Sequence, residues 1–261
     1  INQIRSNNGK TTIKFREKMS SEAFLETAAY DSQISDYFMD LTKNTFPDKK
    51  IIFAKKFETL RYGENPHQKS ALYMKDNERL MINQVSGKKL SYNNYNDLFN
   101  SLLISKSLPK NTGTVIIKHA NPCGVSILRN KLESYKQALN CDPVSAYGGI
   151  VSCNYKINKS IALEINKLFY EIVVANGFNK EALSILKKKK NLRLIDAKSM
   201  DLKNAQIILS NLNTLLIQEN DIKNFTKKNF QVVSKVKPNK KMMSNLVFAF
   251  NVCRFVKSNA K

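Results

Sequence analysis

The stretch Thr114-Val-Ile-Ile-Lys-His-Ala-Asn-Pro-Cys-Gly124 is an apolar run that stops on two adjacent ionisable residues and then turns. Thr114 to Ile117 is β-branched throughout, which suits a buried strand because branched side chains pack well on a pleated surface. Asn121, Pro122 and Gly124 are turn formers that end it. Lys118 and His119 therefore fall at the strand's carboxyl end, where open α/β sheets bind their ligands. One geometric condition applies. Successive strand residues point to opposite faces, so the pair can serve a single pocket only if the strand has ended at Lys118.

Upstream, residues 1–19 are polar and predict no clear element. Ser20 and Ser21 can cap a helix on which Phe24, Leu25, Ala28, Ala29, Ile34, Phe38 and Leu41 recur at helical spacing until Asn44 and Pro47 stop it. Phe46 to Lys50 reads as a linker, which puts a domain boundary near residue 50. In Leu60-Arg-Tyr-Gly-Glu-Asn-Pro-His-Gln68, Gly63 and Pro66 break any regular element and leave Arg61, Tyr62, Asn65, His67 and Gln68 in a loop. Solvation alone explains a polar loop. So does an anion site, since Arg61 offers a planar fork of donors and Tyr62 can stack on a flat ring. Ser91 to Asp97 reads as a second polar loop, with Asp97 capping a helix that carries Leu98, Phe99, Leu102 and Leu103.

Downstream, Leu132 to Leu139 predicts a short helix. Asp142-Pro-Val-Ser-Ala-Tyr-Gly-Gly149 then leads into a strand over Ile150 to Cys153, and its paired glycines would let backbone approach a ligand closely. A helix around Ile161 to Leu168, a strand at Ile172 to Ala175, a helix at Ala182 to Leu186 and a strand at Leu192 to Ile195 complete an α/β alternation. Ala205 to Leu209 and Asn213 to Gln218 read as strands. A last helix begins near Pro238 and carries Met242, Leu246, Ala249, Phe250 and Cys253.

Composition narrows the function. The chain has 261 residues, with 43 Lys and Arg against 21 Asp and Glu, a formal net charge of +22. The lysines are spread along the chain, with only Lys187 to Lys190 forming a tight run, and no nucleic-acid-binding motif accompanies them. That pattern argues against nucleic acid as the partner and for attraction of small polyanions such as phosphorylated metabolites. No apolar run reaches the ~18 residues of a membrane span, and Ile1-Asn-Gln-Ile-Arg5 lacks the basic-then-apolar form of a signal peptide. A cytoplasmic protein that meets no membrane is expected. Cys123, Cys141, Cys153 and Cys253 show no C-x-x-C spacing, which fits reduced thiols and no disulfide.

Taken together, Leu60 to Gln68, Lys118-His-Ala-Asn-Pro-Cys-Gly124 and Asp142 to Gly149 resemble the bifunctional purine biosynthesis enzymes, which join an inosine monophosphate (IMP) cyclohydrolase to an aminoimidazole carboxamide ribotide (AICAR) formyltransferase. Ala23 to Phe38 is similar to the end of the cyclohydrolase domain, and Lys257-Ser-Asn-Ala260 also fits the family. The resemblance implies an α/β fold. Residues 1–50 would be the C-terminal remnant and linker of a methylglyoxal-synthase-like cyclohydrolase domain, ending in its C-terminal helix. Residues 51–237 would be the first cytidine-deaminase-like three-layer unit of the formyltransferase domain, and 238–261 the truncated start of the second. The chain starts without Met, which fits a preceding segment.

The resemblance further implies formyl transfer from 10-formyltetrahydrofolate, as co-substrate, to the 5-amino group of AICAR, with no metal. His119 would be the general base and Lys118 would stabilise developing charge. Arg61 and Tyr62 would hold the nucleotide, with Asn94, Tyr147 and Gly148 around its base and Asn259 beside the transfer centre. Asn65, His67, Asn121 and Asp142 are further candidates. The family usually has Phe where Tyr147 stands, so the added hydroxyl needs a partner. A homodimer with shared sites is implied, and the chain alone is expected to lack cyclohydrolase activity and to show at most trace formyl transfer. The nearest competing enzyme is a zinc deaminase, but Asn121 stands where its acid-base Glu belongs and Ser126 where its second Cys ligand belongs. The non-catalytic alternative is a fragment that dimerises or binds nucleotide without turnover.

Overall fold

The computed structural model describes residues 1–75, 80–200 and 206–257. It contains two units: Ile1–Glu58 with the described part of Tyr73–Arg79, and Thr59–Leu72 with the described part of Leu80–Lys261. In the first, α1 (Asn2–Ser6) precedes a 30-residue helix, α2 (Ile13–Thr42). The irregular start expected for residues 1–19 is therefore wrong. Thr12 caps α2 by accepting the Phe15 N–H, and Lys14 to Met19 are mostly strong helix formers whose propensity needs no apolar period. Ser20 and Ser21 lie inside the helix. Lys43, left-handed at φ 52°, ends it. Only Ala29 and Ser32 of α2 are buried, and Phe24, Leu25, Phe38 and Leu41 are all exposed.

The strands β1 (Lys55–Leu60) and β2 (Ser70–Met74) pair as a two-stranded sheet on either side of the 61–69 loop. The main sheet of the second unit holds β3 (Asn83–Ser86), β4 (Gly113–Lys118), β5 (Asn121–Ile127), β6 (Ile150–Cys153), β7 (Ile172–Ala175) and β8 (Arg193–Asp196), in the order β3-β8-β7-β6-β4-β5. It is mixed. β6, β7 and β8 run parallel, whereas β4 is antiparallel to both β5 and β6, and β3 is antiparallel to β8.

Strand alternation sends side chains to two cores. On one face, Ile116, Val151, Val173 and Leu194 pack with α4 (Lys131–Cys141), α5 (Lys159–Asn166) and α6 (Lys180–Leu186), through Tyr135, Ile161, Ile165 and Leu186. On the other, Val115, Ile117, Val174 and Ile195 pack with Leu98, Leu102 and Ile104 of α3 (Tyr92–Ser107). Helices thus cover both faces of the sheet, which is why these strands read as continuous apolar runs.

Three local readings change. Ser91 to Asp97 is not a loop: Ser91 caps α3 in a reciprocal box with Asn94, which fills the place Glu takes in the usual motif. Asp97 consequently lies within α3 and caps nothing. Asn121 to Gly124 does not turn either. The turn is His119-Ala120, left-handed at both positions (φ 51° and 60°), and the chain returns at once as β5. Pro122 is tolerated because β5 is an edge strand, and the register slips there, with Gly124 opposite Ile116 and Pro122 opposite Ile117.

Finally, β4 points the other way from its parallel neighbours. Ile117, Ile150, Ile172 and Arg193 lie in one row across the sheet, so the carboxyl end of β4 sits at the amino ends of β6, β7 and β8. Lys118 and His119 thus lie at the carboxyl end of β4 but at the amino-end side of the parallel strands.

Beyond the sheet, β9 (Gln206–Asn211) and β10 (Thr214–Glu219) form an antiparallel hairpin, and α7 (Lys240–Cys253) follows an Asn239 cap. Phe225, Phe230 and Phe250 meet edge to face or tilted, while Met242, Leu246 and Phe250 stay 50%, 57% and 45% exposed.

Among the described glycines, the tightest setting is Gly124, where an added Cβ would stand 1.9 Å from the Ala138 carbonyl oxygen of α4. Gly124→Ala must push β5 off α4. It should cost about 1–3 kcal/mol or more, as overpacking does, read as a lower urea midpoint. A midpoint within error of wild type would show that β5 and α4 are not packed this tightly.

Candidate active site

The tight turn resolves the geometric condition on Lys118 and His119. Lys118 is the last residue of β4, and His119 has already left the strand in a left-handed conformation that His tolerates better than most residues. Lys118 Nζ donates to the Tyr147 carbonyl at 2.5 Å. Next to it, Gly148 adopts φ 70° and donates its N–H to the Phe169 carbonyl at 2.9 Å. A Cβ on Gly148 would stand 3.6 Å from Lys118 Nζ, so this backbone borders the ammonium directly. Tyr147 is 58% exposed, with its ring tilted against Phe169 at 5.4 Å between centroids.

Asn94 is buried. Its amide oxygen closes the α3 cap, and its Nδ2 donates to Glu171 Oε2 at 2.8 Å. Glu171, one residue before β7, also faces Arg193 Nη1 at 3.7 Å. Burial lowers the Arg193 pKa, while Glu171 and Tyr62 beside it oppose that shift, which places Tyr62 near the same cluster. Asp97, on α3, accepts the Ala120 N–H. Burial raises its pKa above the ordinary 3.8; that hydrogen bond, His119 and Lys257 oppose the rise, and Glu171 adds to it.

Lys118, His119, Asn94, Tyr147, Gly148 and Tyr62 are thus drawn to the row where β4 ends and β6 and β7 begin. Arg61 lies with its guanidinium 5.5 Å from the Tyr62 ring. Asn121 sits just past the turn, its Nδ2 3.5 Å from the His119 carbonyl. Asn65 and His67 are exposed and belong to a loop that braces itself: Gly63 N–H donates to the Gln68 carbonyl at 2.7 Å, and Gln68 Oε1 accepts the Asn65 N–H at 2.7 Å. Asn93 ties that loop to α3 through the Glu64 carbonyl.

Asp142 is half-buried and caps its own turn by accepting the Ser145 N–H, and the Ser145 side chain and backbone together hold its pKa low. Asn259 lies outside the described residues. Sequence reasoning missed Glu171 and Arg193 and misplaced Asp97. The available signal was a charged residue immediately flanking, or opening, an otherwise apolar β7 or β8.

Burial raises the Cys123 thiol, with Asp142 adding to the shift and Lys118 opposing it, so this cysteine stays protonated at neutral pH. Among the described residues, no group of three or more His, Cys, Asp or Glu side chains could hold a metal ion, and no helix is long and apolar enough to cross a membrane.

The sequence profile of the AICARFT/IMPCHase bienzyme family matches residues 1–260. The chain belongs to this family. Among curated relatives of the AICARFT/IMPCHase bienzymes, it is similar to the bifunctional purine biosynthesis protein PurH of Leptospira biflexa, 40% identical over 260 residues that cover 99% of this chain and 50% of that protein. The protein of the same name from Rhizobium rhizogenes is 39% identical over 267 residues, covering 100% and 50%, and that from Rhodospirillum rubrum 40% identical over 270 residues, also covering 100% and 50%. The chain spans about half the length of the curated relatives it matches.

Because folding raises the Asp97 pKa, the folded state holds that proton more tightly than the unfolded chain. The linked stabilisation is fully present below 3.8 and is lost as pH rises through the folded value. Asp97→Asn keeps an acceptor for Ala120 without the charge. It should therefore raise the urea midpoint at pH 7, with the gain shrinking toward pH 3. An equal effect at both pH values would place Asp97 in a solvated setting.

Proposed function

We propose that this chain carries the catalytic pair of an AICAR formyltransferase, which moves a formyl group from 10-formyltetrahydrofolate to the 5-amino group of AICAR in purine biosynthesis. The observation that carries the reading is the turn at His119, which frees the imidazole from the strand while Lys118 stays anchored beside it. In this reading His119 accepts a proton from the 5-amino group as its nitrogen attacks the formyl carbon. The oxyanion so formed is stabilised by Lys118, which has three donor protons and spends one on the Tyr147 carbonyl. Collapse breaks the bond from the formyl carbon to the folate nitrogen, and the imidazolium returns its proton to that leaving nitrogen. Atoms and protons balance with no metal.

Arg61 would bind the phosphate, Tyr62 the ribotide, and Tyr147 and Gly148 the base, with Asn94 held ready by Glu171 and Asn259 beside the transfer centre. We assign residues 1–50 to the end of a methylglyoxal-synthase-like cyclohydrolase domain, 51–237 to a cytidine-deaminase-like unit and 238–261 to the start of a second. A cytoplasmic homodimer with shared sites completes the reading. The alternative, a chain that binds nucleotide or dimerises without turnover, is favoured on its dimerising side by one observation: the half-exposed Met242, Leu246 and Phe250 stripe lines an apolar cavity of about 570 Å³ that another copy could cover.

The test is to assay residues 1–261 alone, and joined to the remaining sequence of a curated relative, with AICAR and 10-formyltetrahydrofolate. Turnover by the joined form is expected, with at most trace turnover by the chain alone. None by either form would overturn the formyltransferase reading. In the active form, His119→Asn, which tolerates the left-handed backbone, should lower kcat by about 10² or more. A loss of only a few-fold would remove His119 from the chemistry. Arg61→Ala should weaken binding of the ribotide far more than of its dephosphorylated nucleoside, measured by calorimetry. Equal losses would make Arg61 structural.

A further inference from the structure

His119 and Ala120 both adopt left-handed backbone conformations, at φ 51° and 60°. Such a turn costs roughly 1–2 kcal/mol per ordinary residue, and Ala has no side chain with which to offset it. The surroundings must therefore hold it. One support is Asp97, which accepts the Ala120 N–H from the α3 side. A second comes from Asn121. Its Nδ2 lies 3.5 Å from the His119 carbonyl, and its Oδ1 accepts the Lys257 N–H at 3.1 Å. The second bond joins residues 136 positions apart. It docks the segment leaving α7 onto the hairpin. Lys257 is exposed, and the charge on its side chain also reaches Asp97.

We propose that Asn121 is a positioning residue for formyl transfer: through the Lys257 amide it clamps the segment leaving α7 to the His119 turn and so holds the turn that carries the imidazole. This rests on the reading of His119 as the general base. The clamp suits a reaction that must bring two substrates together, because a misplacement of ~1 Å can cost about a hundredfold. Asn121 touches neither reacting group; it acts through the backbone on both sides of the site. The clamp needs an acceptor long enough to reach the Lys257 N–H, which the Asn121 Oδ1 supplies.

The experiment compares the unsubstituted chain with Asn121→Ala and Asn121→Asp. Asp is isosteric and still accepts the Lys257 N–H. Amide hydrogen exchange on residues 1–261 reads the clamp without any turnover, because an exposed amide at Lys257 owes its protection to this bond. Asn121→Ala should lose about fivefold or more of that protection, the scale of one hydrogen bond, and Asn121→Asp should keep it.

In the joined form that turns over, Asn121→Ala should lower kcat about tenfold or more while KM for the ribotide stays within about threefold. Asn121→Asp should restore most of kcat. Unchanged protection in Asn121→Ala would overturn the clamp. Lost protection with unchanged kcat would overturn its positioning role. Absence of formyl transfer by the unsubstituted joined protein would fail the functional reading instead, and the exchange comparison would then decide the clamp alone.

Discussion

The arrangement depends on one backbone constraint: a strand that must reverse in two residues without glycine. Two-residue hairpins favour primed turns, whose twist matches that of the strands, and the one formed here takes left-handed conformations at both loop positions. Here the two positions are His119 and Ala120. His is among the residues that accept this region, but Ala is not, so the fold must stabilise it from outside. Ala120 is only 3% exposed, and its N–H is taken by Asp97. A glycine would make the turn with less strain but would also let it wander. The strained turn is the more rigid one, which suits the base proposed for His119.

The same turn explains an electrostatic pattern that the composition conceals. A chain with a net charge of +22 attracts anions over its whole surface. Around the turn, however, acids and bases are interleaved: Asp97 and Glu171 lie among Lys118, His119, Arg193 and Lys257. The long-range field can bring a phosphorylated ligand in, while the local acids fix individual donors. Glu171 does so visibly, since it takes the Asn94 Nδ2 and thereby decides which way that amide faces. Such pairing is also what makes partial burial of these charges tolerable.

Much of the fold was legible because its central strands are buried on both faces. Val115 to Ile117, Ile150 to Cys153 and Ile172 to Ala175 announce themselves as unbroken apolar runs. The strands that were not expected are β1, β2, β3 and β5: β1 and β3 are rich in exposed or half-buried polar side chains, β2 pairs only with β1 across the 61–69 loop, β3 owes its strand character to β8 far away in sequence, and β5 opens on residues that read as a turn. Strand direction was equally hidden. Nothing local to Thr114 to Lys118 says that β4 opposes β6, yet that reversal decides which residues surround Lys118 and His119. Lys118 and His119 could be read from a local pattern, whereas Glu171 and Arg193 offered only a charge beside an apolar strand, and what they do depends on a neighbour 77 residues away, in the case of Asn94, or across the sheet.

The position of β5 at the sheet edge bears on how the site can be completed. An unpaired edge invites association with other strands, and proteins blunt it with proline, bulges or cover. β5 carries both Pro122 and a register slip, placed at the end nearest the turn. These features interrupt the ladder beside Lys118 and His119, and they leave the polar groups there available to something other than a strand. Asn121 uses that opening to take the Lys257 N–H. The edge therefore has two parts with different tasks: a regular stretch that seals the sheet against α4, and an interrupted stretch, over the turn, where a later segment of the chain can dock. A glycine at 124 is what lets the first part lie close enough to α4 for the second part to project beyond it.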